Sequence, residues 1–164
     1  MHGQGLFATD DGTTYFTGAK LKYRLFEPIT MSASYYYGIS SIPHTEGLLK
    51  VDDVQSDSFA FDVRYKADED NTLGFQVSSP LRIRKGKATF NIPVARDMHK
   101  DVVYFKEEKI SLKPEQREYD FGVYYMREKD DYDWRMALIM RTHPDHMADV
   151  KPDFRALFGL SFKF

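Results

Sequence analysis

The chain contains no cysteine, which excludes disulfide staples, thiolate metal sites and cysteine nucleophiles. Charge of one sign is not in excess either: 23 Lys+Arg stand against 25 Asp+Glu, a formal net charge of -2. No basic surplus therefore marks a nucleic-acid binder. Long apolar runs are missing too, the longest being stubs such as Met136-Ala137-Leu138-Ile139-Met140. A transmembrane helix needs roughly 20 consecutive apolar residues, so that route across a membrane is closed. A membrane barrel is not, because its strands are apolar only at every second position. The opening Met1-His2-Gly3-Gln4-Gly5-Leu6-Phe7 has neither the basic start nor the apolar core of a signal peptide. An exported protein needs one, so if this chain is exported, the expectation is a mature form, a truncated form or the tail of a longer protein.

Rings are abundant. Thirteen Phe, eleven Tyr and one Trp make 15% of the 164 residues. That length suits one domain, expected to span 1–164 with 1–12 irregular. Helical period is hard to find, whereas alternation recurs along the whole chain. Tyr15, Ala19, Leu21, Tyr23 and Leu25 oppose Gly18, Lys20, Lys22 and Arg24, and Met31, Ala33, Tyr35, Tyr37 and Ile39 oppose Ser32, Ser34, Tyr36 and Gly38. Phe59, Phe61, Val63 and Tyr65 oppose Ala60, Asp62 and Arg64; Leu73, Phe75, Val77 and Leu81 oppose Gly74, Gln76, Ser78 and Arg82. A shorter run follows at Phe90, Ile92 and Val94, and a muddled one from Val102 to Leu112. Tyr119, Phe121, Val123 and Tyr125, then Trp134, Met136, Leu138 and Met140, alternate cleanly, as do Phe154 to Phe164 apart from Leu157. Turn signals at Glu27-Pro28, Asp68-Glu69-Asp70-Asn71, Lys85-Gly86-Lys87, Lys113-Pro114 and Lys129-Asp130-Asp131 separate the runs. The pattern predicts an all-β, antiparallel up-and-down barrel of about eight or nine strands.

What the polar face carries decides which kind of barrel is expected. Strands of about 10–11 residues match a tilted bilayer crossing. Tyr15, Tyr37, Tyr65, Tyr119 and Trp134 sit near strand ends, where an interfacial girdle belongs. The polar face mixes Gly and Ser with both charge signs, which suits a crowded, partly hydrated lumen. A lumenal charge network is expected among Arg64, Arg82, Glu118, Asp120, Arg135, Arg141 and Arg155, with Arg135 and Arg141 paired to Glu118 and Asp120. The longer connections, Ser41 to Val54 and His143 to Pro152, are expected on the extracellular side. A soluble lipocalin-like barrel binding an apolar ligand also alternates, with its polarity reversed.

Two resemblances refine this. The ending Phe158-Gly159-Leu160-Ser161-Phe162-Lys163-Phe164 resembles the terminal signature of bacterial outer-membrane proteins. That implies that Phe158, Leu160, Phe162 and Phe164 form a strand read by the barrel-assembly machinery, through the open backbone groups of its edge. Further upstream, Ser79-Pro80-Leu81-Arg82-Ile83-Arg84-Lys85-Gly86-Lys87-Ala88 is followed by Ile92-Pro93-Val94-Ala95-Arg96. This resembles the translocator barrel of autotransporters with a subtilisin-like passenger, which shows a Pro-Leu-Arg strand, a Gly turn and a Leu/Ile-Pro-Val step. Leu112-Lys113-Pro114-Glu115-Gln116-Arg117-Glu118-Tyr119-Asp120, Pro144-Asp145-His146 with Asp149 and Pro152, and the final Phe164 continue the resemblance.

The family implies a Gram-negative outer-membrane location, type V protein secretion and a barrel of about twelve strands, of which the three or four N-terminal ones are missing here. It implies outer-membrane lipid, lipopolysaccharide, the assembly machinery and a passenger polypeptide as partners, and no cofactor or nucleic acid. The barrel itself is expected to be non-catalytic, the passenger protease lying outside the chain. A small structural or adhesive outer-membrane barrel is the other membrane reading.

Candidate chemistry is thin. Besides His2 and His99, His143 and His146 flank Asp145, but two ligands without a third make a poor metal site. His44 near Ser40 and Ser41 lacks the Gly-x-Ser-x-Gly turn that holds a nucleophile. The densest basic cluster, Arg82, Arg84, Lys85 and Lys87, reads first as a hydrated hairpin. Its other use is contact with lipid phosphates or a passing polypeptide.

Overall fold

The computed structural model describes residues 12–41 and 48–163. It is all-β, with antiparallel sheets. Seven strands form one sheet: β1 (Thr13–Phe26), β2 (Ile29–Ser41), β4 (Val54–Lys66), β5 (Asn71–Lys85), β8 (Tyr119–Glu128), β9 (Tyr132–Thr142) and β10 (Asp153–Phe162), in the order β1-β2-β4-β5-β8-β9-β10. Each coincides with one of the alternating runs. Alternation dictates this, because a strand sends successive side chains to opposite faces and so sorts the two classes.

The runs at Phe90 and Val102 do not continue the meander. They become β6 (Lys87–Asp97) and β7 (Val102–Ser111), which with β3 (Leu49–Val51) make a separate sheet in the order β3-β6-β7. Their composition explains the difference. Lys106 and Glu108 lie on one face of β7 and Glu107 and Lys109 on the other, so neither side is dry. The β6–β7 register shifts between Pro93 and Ala95, a bulge at the residue that brings no backbone donor.

The seven-stranded order has two ends, β1 and β10, and no pairing among the described residues closes it into a barrel. The closed form expected from the sequence is thus not present in this sheet. Seven strands fall below the eight of small membrane barrels.

Two compact units account for the described residues. One gathers the ends of the early strands with β3, β6 and β7; the other holds most of β2, β4 and β5 with all of β8, β9 and β10. In the second unit the connections at 27–28, 67–70 and 129–131 are tight turns. Asp68 caps the middle one, its Oδ1 accepting the backbone N–H groups of Asp70 at 2.9 Å and Asn71 at 2.8 Å. The Asn71 amide also donates to this carboxylate, and chiefly holds it below the usual carboxylate range.

The register of the second unit places the apolar set on one face. Leu73, Phe75 and Val77 oppose Tyr125, Val123 and Phe121. These in turn oppose Met136, Leu138 and Met140, which oppose Phe158, Ala156 and Phe154. This face is open. Phe154 is 76% exposed, Phe158 71% and Leu138 60%, whereas the one buried hydrophobic among the described residues is Ala88. The buried polar residues are Ser56, Asp57, Ser79 and Glu118.

Candidate functional site

Three ion pairs of the second unit, those of Arg141 and Arg155, gather at one end of β8, β9 and β10. Register alone brings Asp120 opposite Arg141 and Arg141 opposite Asp153. Arg141 donates from Nε and Nη2 to the two oxygens of Asp153, at 2.9 and 2.7 Å. This two-point fork suits a planar guanidinium. A third donor, Nη1, reaches Glu118 Oε1 at 3.2 Å. Arg155 stands 3.8 Å from Asp153 on the same strand.

Glu118 is the hub. It is 4% exposed, and its second oxygen accepts the backbone N–H of Asp145 at 2.7 Å. Its own N–H donates to His146 Nδ1 at 2.9 Å. Because Nδ1 accepts, the ring's proton sits on Nε2, which faces the carbonyl of Leu81 at 3.2 Å. The 3-10 turn Pro144–His146 is thereby fixed to both β8 and β5. It needs fixing: His143, Asp145 and His146 all adopt positive φ (51°, 57° and 62°), a left-handed conformation costing roughly 1–2 kcal/mol per residue outside glycine. Asp145 thus contributes its backbone rather than its carboxylate.

A second buried pair, Asp57 with Arg117, lies in the same unit. Tyr35 donates to Asp57 Oδ2 at 3.4 Å, and the Arg117 guanidinium sits 5.7 Å from the centre of the Phe59 ring. A third group joins Tyr124, whose hydroxyl donates to Asp62 at 2.6 Å and accepts from Arg64 Nε at 3.1 Å. Arg64 also meets Asp62 directly at 2.7 Å. Tyr124 reaches this pair across β5 because Gly74 leaves it room. A Cβ on Gly74 would fall 2.0 Å from the tyrosine's Cζ.

The expected network is therefore partly assembled. Glu118, Asp120, Arg141 and Arg155 come together; Arg64 belongs to the Tyr124 group, and Arg82 lies half-buried beside Leu81. Arg135 does not join. It is exposed, has no ion pair among the described residues, and runs its stem past Gly159, 3.3 Å from where a Cβ there would lie. Its distance along β9 from Arg141 puts it at the other end of the strand, so the expected pairing with Glu118 and Asp120 does not form. Of the terminal strand, Phe158, Leu160 and Phe162 are in β10 and exposed. Phe164 lies outside the described residues, as do His2, His44 and the 1–11 segment. His143 and His146 form no metal cluster; no group of three potential ligands exists among the described residues.

Composition and spacing missed Asp57, Arg117, Asp153 and Tyr35. The signal was present for Asp153, since it begins the strand that must pair with β9. For Asp57 and Arg117, sixty residues apart, nothing local announces the pairing. No family model, curated protein or solved structure matches the chain.

Proposed function

We propose that this chain is part of an outer-membrane β-barrel of the autotransporter translocator type, anchoring an N-terminal passenger and serving its secretion without catalysing a reaction. One observation carries the reading: burial is inverted. Among the described residues Ser56, Asp57, Ser79 and Glu118 are withdrawn from solvent and Ala88 is the one buried hydrophobic, while Phe, Leu and Met side chains of the second unit stand exposed. A face so apolar is costly in water and has the chemistry of a surface meeting lipid.

Connection lengths add support. Along the seven-stranded sheet, the short turns at 27–28, 67–70 and 129–131 alternate with the longer stretches 42–53, 86–118 and 143–152. Outer-membrane barrels alternate in this way, with short periplasmic turns and long extracellular loops. The open order of strands fits a barrel completed by further strands, the translocator norm being near twelve. The exposed alternation of β10 supports recognition by the assembly machinery. The secretion role rests on the sequence resemblance.

The absence of cysteine makes the test clean. The chain is joined to a signal peptide and a reporter passenger and expressed in a Gram-negative host, with single cysteines at Leu138 or Thr72. Extraction should require detergent, and the reporter should reach the cell surface. Leu138→Cys should resist a water-soluble maleimide in intact membranes, whereas Thr72→Cys should react after the lumen is opened to reagent. A chain that is monodisperse without detergent, with Leu138→Cys freely labelled, overturns the membrane assignment. A membrane-inserted chain that leaves the reporter inside overturns secretion and favours the structural or adhesive barrel.

A further inference from the structure

We infer that the hollow between the end of β5, the start of β6 and the end of β7 binds a small phosphate group, as a phosphomonoester or pyrophosphate. This goes beyond the barrel reading and does not rest on it. The hollow lies within the first unit and is lined by Arg84, Lys85, Lys87 and Lys113 with Gly86 and Ser111, and by two carboxylates, Asp52 and Asp53. Two backbone bonds tie its segments together: Leu112 N–H to the Gly86 carbonyl at 3.1 Å and Asp52 N–H to the Lys87 carbonyl at 2.9 Å. Gly86 itself is buried against Val54 and Leu112; a Cβ there would lie 3.2 Å from the valine.

Four cations thus surround one concavity, and none makes an ion pair among the described residues. Elsewhere in the chain Arg96, Lys106, Lys109, Lys129, Arg141 and Lys163 each have a carboxylate partner. Like charges held around a hollow repel one another, and a bound anion relieves that repulsion. Four positive charges less the two of Asp52 and Asp53 leave an excess of +2, which favours a small multiply charged anion such as a phosphomonoester or pyrophosphate. The hollow measures about 240 Å³, below the roughly 300 Å³ where drug-sized ligand sites begin. No aromatic or large apolar side chain lines it, so a nucleobase finds no stacking platform and a peptide side chain no pocket. The two carboxylates also disfavour an extended polyanion.

The full chain in zwitterionic detergent micelles, or in buffer if it dissolves there, is titrated with inorganic pyrophosphate by calorimetry. Saturable binding is expected, weakening as salt is raised. Each of Lys85→Gln, Lys87→Gln and Lys113→Gln should weaken it about three- to tenfold, while Arg96→Gln leaves it unchanged. Should a lysine variant fail to fold, the paired Asp52→Asn and Asp53→Asn exchange supplies the opposite sign and should tighten binding. No saturable binding, or equal loss with Arg96→Gln, overturns the inference. Competition by polyglutamate as strong as by pyrophosphate also overturns it, since the site then recognises an acidic chain. Vesicles of phosphatidic acid and of phosphatidylcholine separate the sources. Retention greater on the former assigns a lipid headgroup, and equal retention on both or on neither, with pyrophosphate still bound, assigns a free phosphate.

Discussion

Two regions of this protein use charge in opposite ways. In the β8–β9–β10 region, Glu118 and Arg141 are withdrawn from solvent, with side chains 5% and 15% exposed, and every oxygen of Glu118 has a donor. In the β6–β7 hairpin, Arg96 and Asp101 pair at 2.6 Å, yet their side chains are 59% and 82% exposed. The distances are similar; the surroundings are not. A pair in water exchanges one set of good partners for another and contributes little. A buried hub has no such substitute, so losing one member strands the rest.

Removing the hub should therefore have the largest effect. Glu118→Ala leaves the Arg141 Nη1 and the Asp145 N–H without their acceptor and should cost about 3–5 kcal/mol. Urea-dependent loss of folded mobility on cold gels measures this. Protease cutting within 143–147 should rise in parallel, because that left-handed turn loses a bond that holds it. An unfolding midpoint within error of the parent would show that the network is not sustaining the sheet.

Next in size is the fit of Tyr124 over Gly74. Gly74→Ala drives a methyl group into the ring, 2.0 Å from Cζ, and displaces the hydroxyl from Asp62 and Arg64. Overpacking of this kind costs about 1–3 kcal/mol. The double variant Gly74→Ala/Tyr124→Ala should fall well short of the sum of the two single losses, since both remove the same arrangement. Strict additivity would mean that ring and glycine act separately.

Arg135 sharpens the contrast within one strand. It shares β9 with Arg141 but is exposed and has no ion pair among the described residues. Arg135→Glu should change stability by less than about 1 kcal/mol, against a large loss for Arg141→Glu. Equal losses would return Arg135 to the network.

The strands of the large sheet were legible because alternation is a direct consequence of backbone geometry, and each run carried it with few breaks. Val102 to Leu112 had the right residues for a strand, but the Lys106 to Lys109 charges left both faces polar, so periodicity could not say which sheet it joins. Charges also revealed their identity but not their partners. Arg135 and Arg141 look alike in sequence, and only the register, which sets Arg141 between Asp120 and Asp153, separates a paired arginine from a solvated one. The hook at His143 to His146 was invisible for another reason. Left-handed backbone usually announces itself through glycine or asparagine, and here histidines and an aspartate are held there by Glu118 from elsewhere in the chain.

The smallest effect belongs to the hairpin, and it decides whether the comparison is about burial or about ion pairs as such. Arg96→Ala breaks a bond as short as any in the β9–β10 network, 2.6 Å. Its expected cost is nevertheless only about 0–1 kcal/mol, because both partners regain water. Part of the anchoring is also independent of it: Asp97 Oδ1 still accepts the His99 N–H at 2.9 Å and the Lys100 N–H at 3.2 Å, so the turn keeps its cap. Raising the salt from low to about 1 M, where the screening length is about 3 Å, should erase whatever difference remains, while the Glu118→Ala deficit persists. Amide hydrogen exchange across 97–101 is the sensitive readout. Protection lost there as completely as around 143–147 in Glu118→Ala would mean that short distance, and not withdrawal from water, governs how much these pairs contribute.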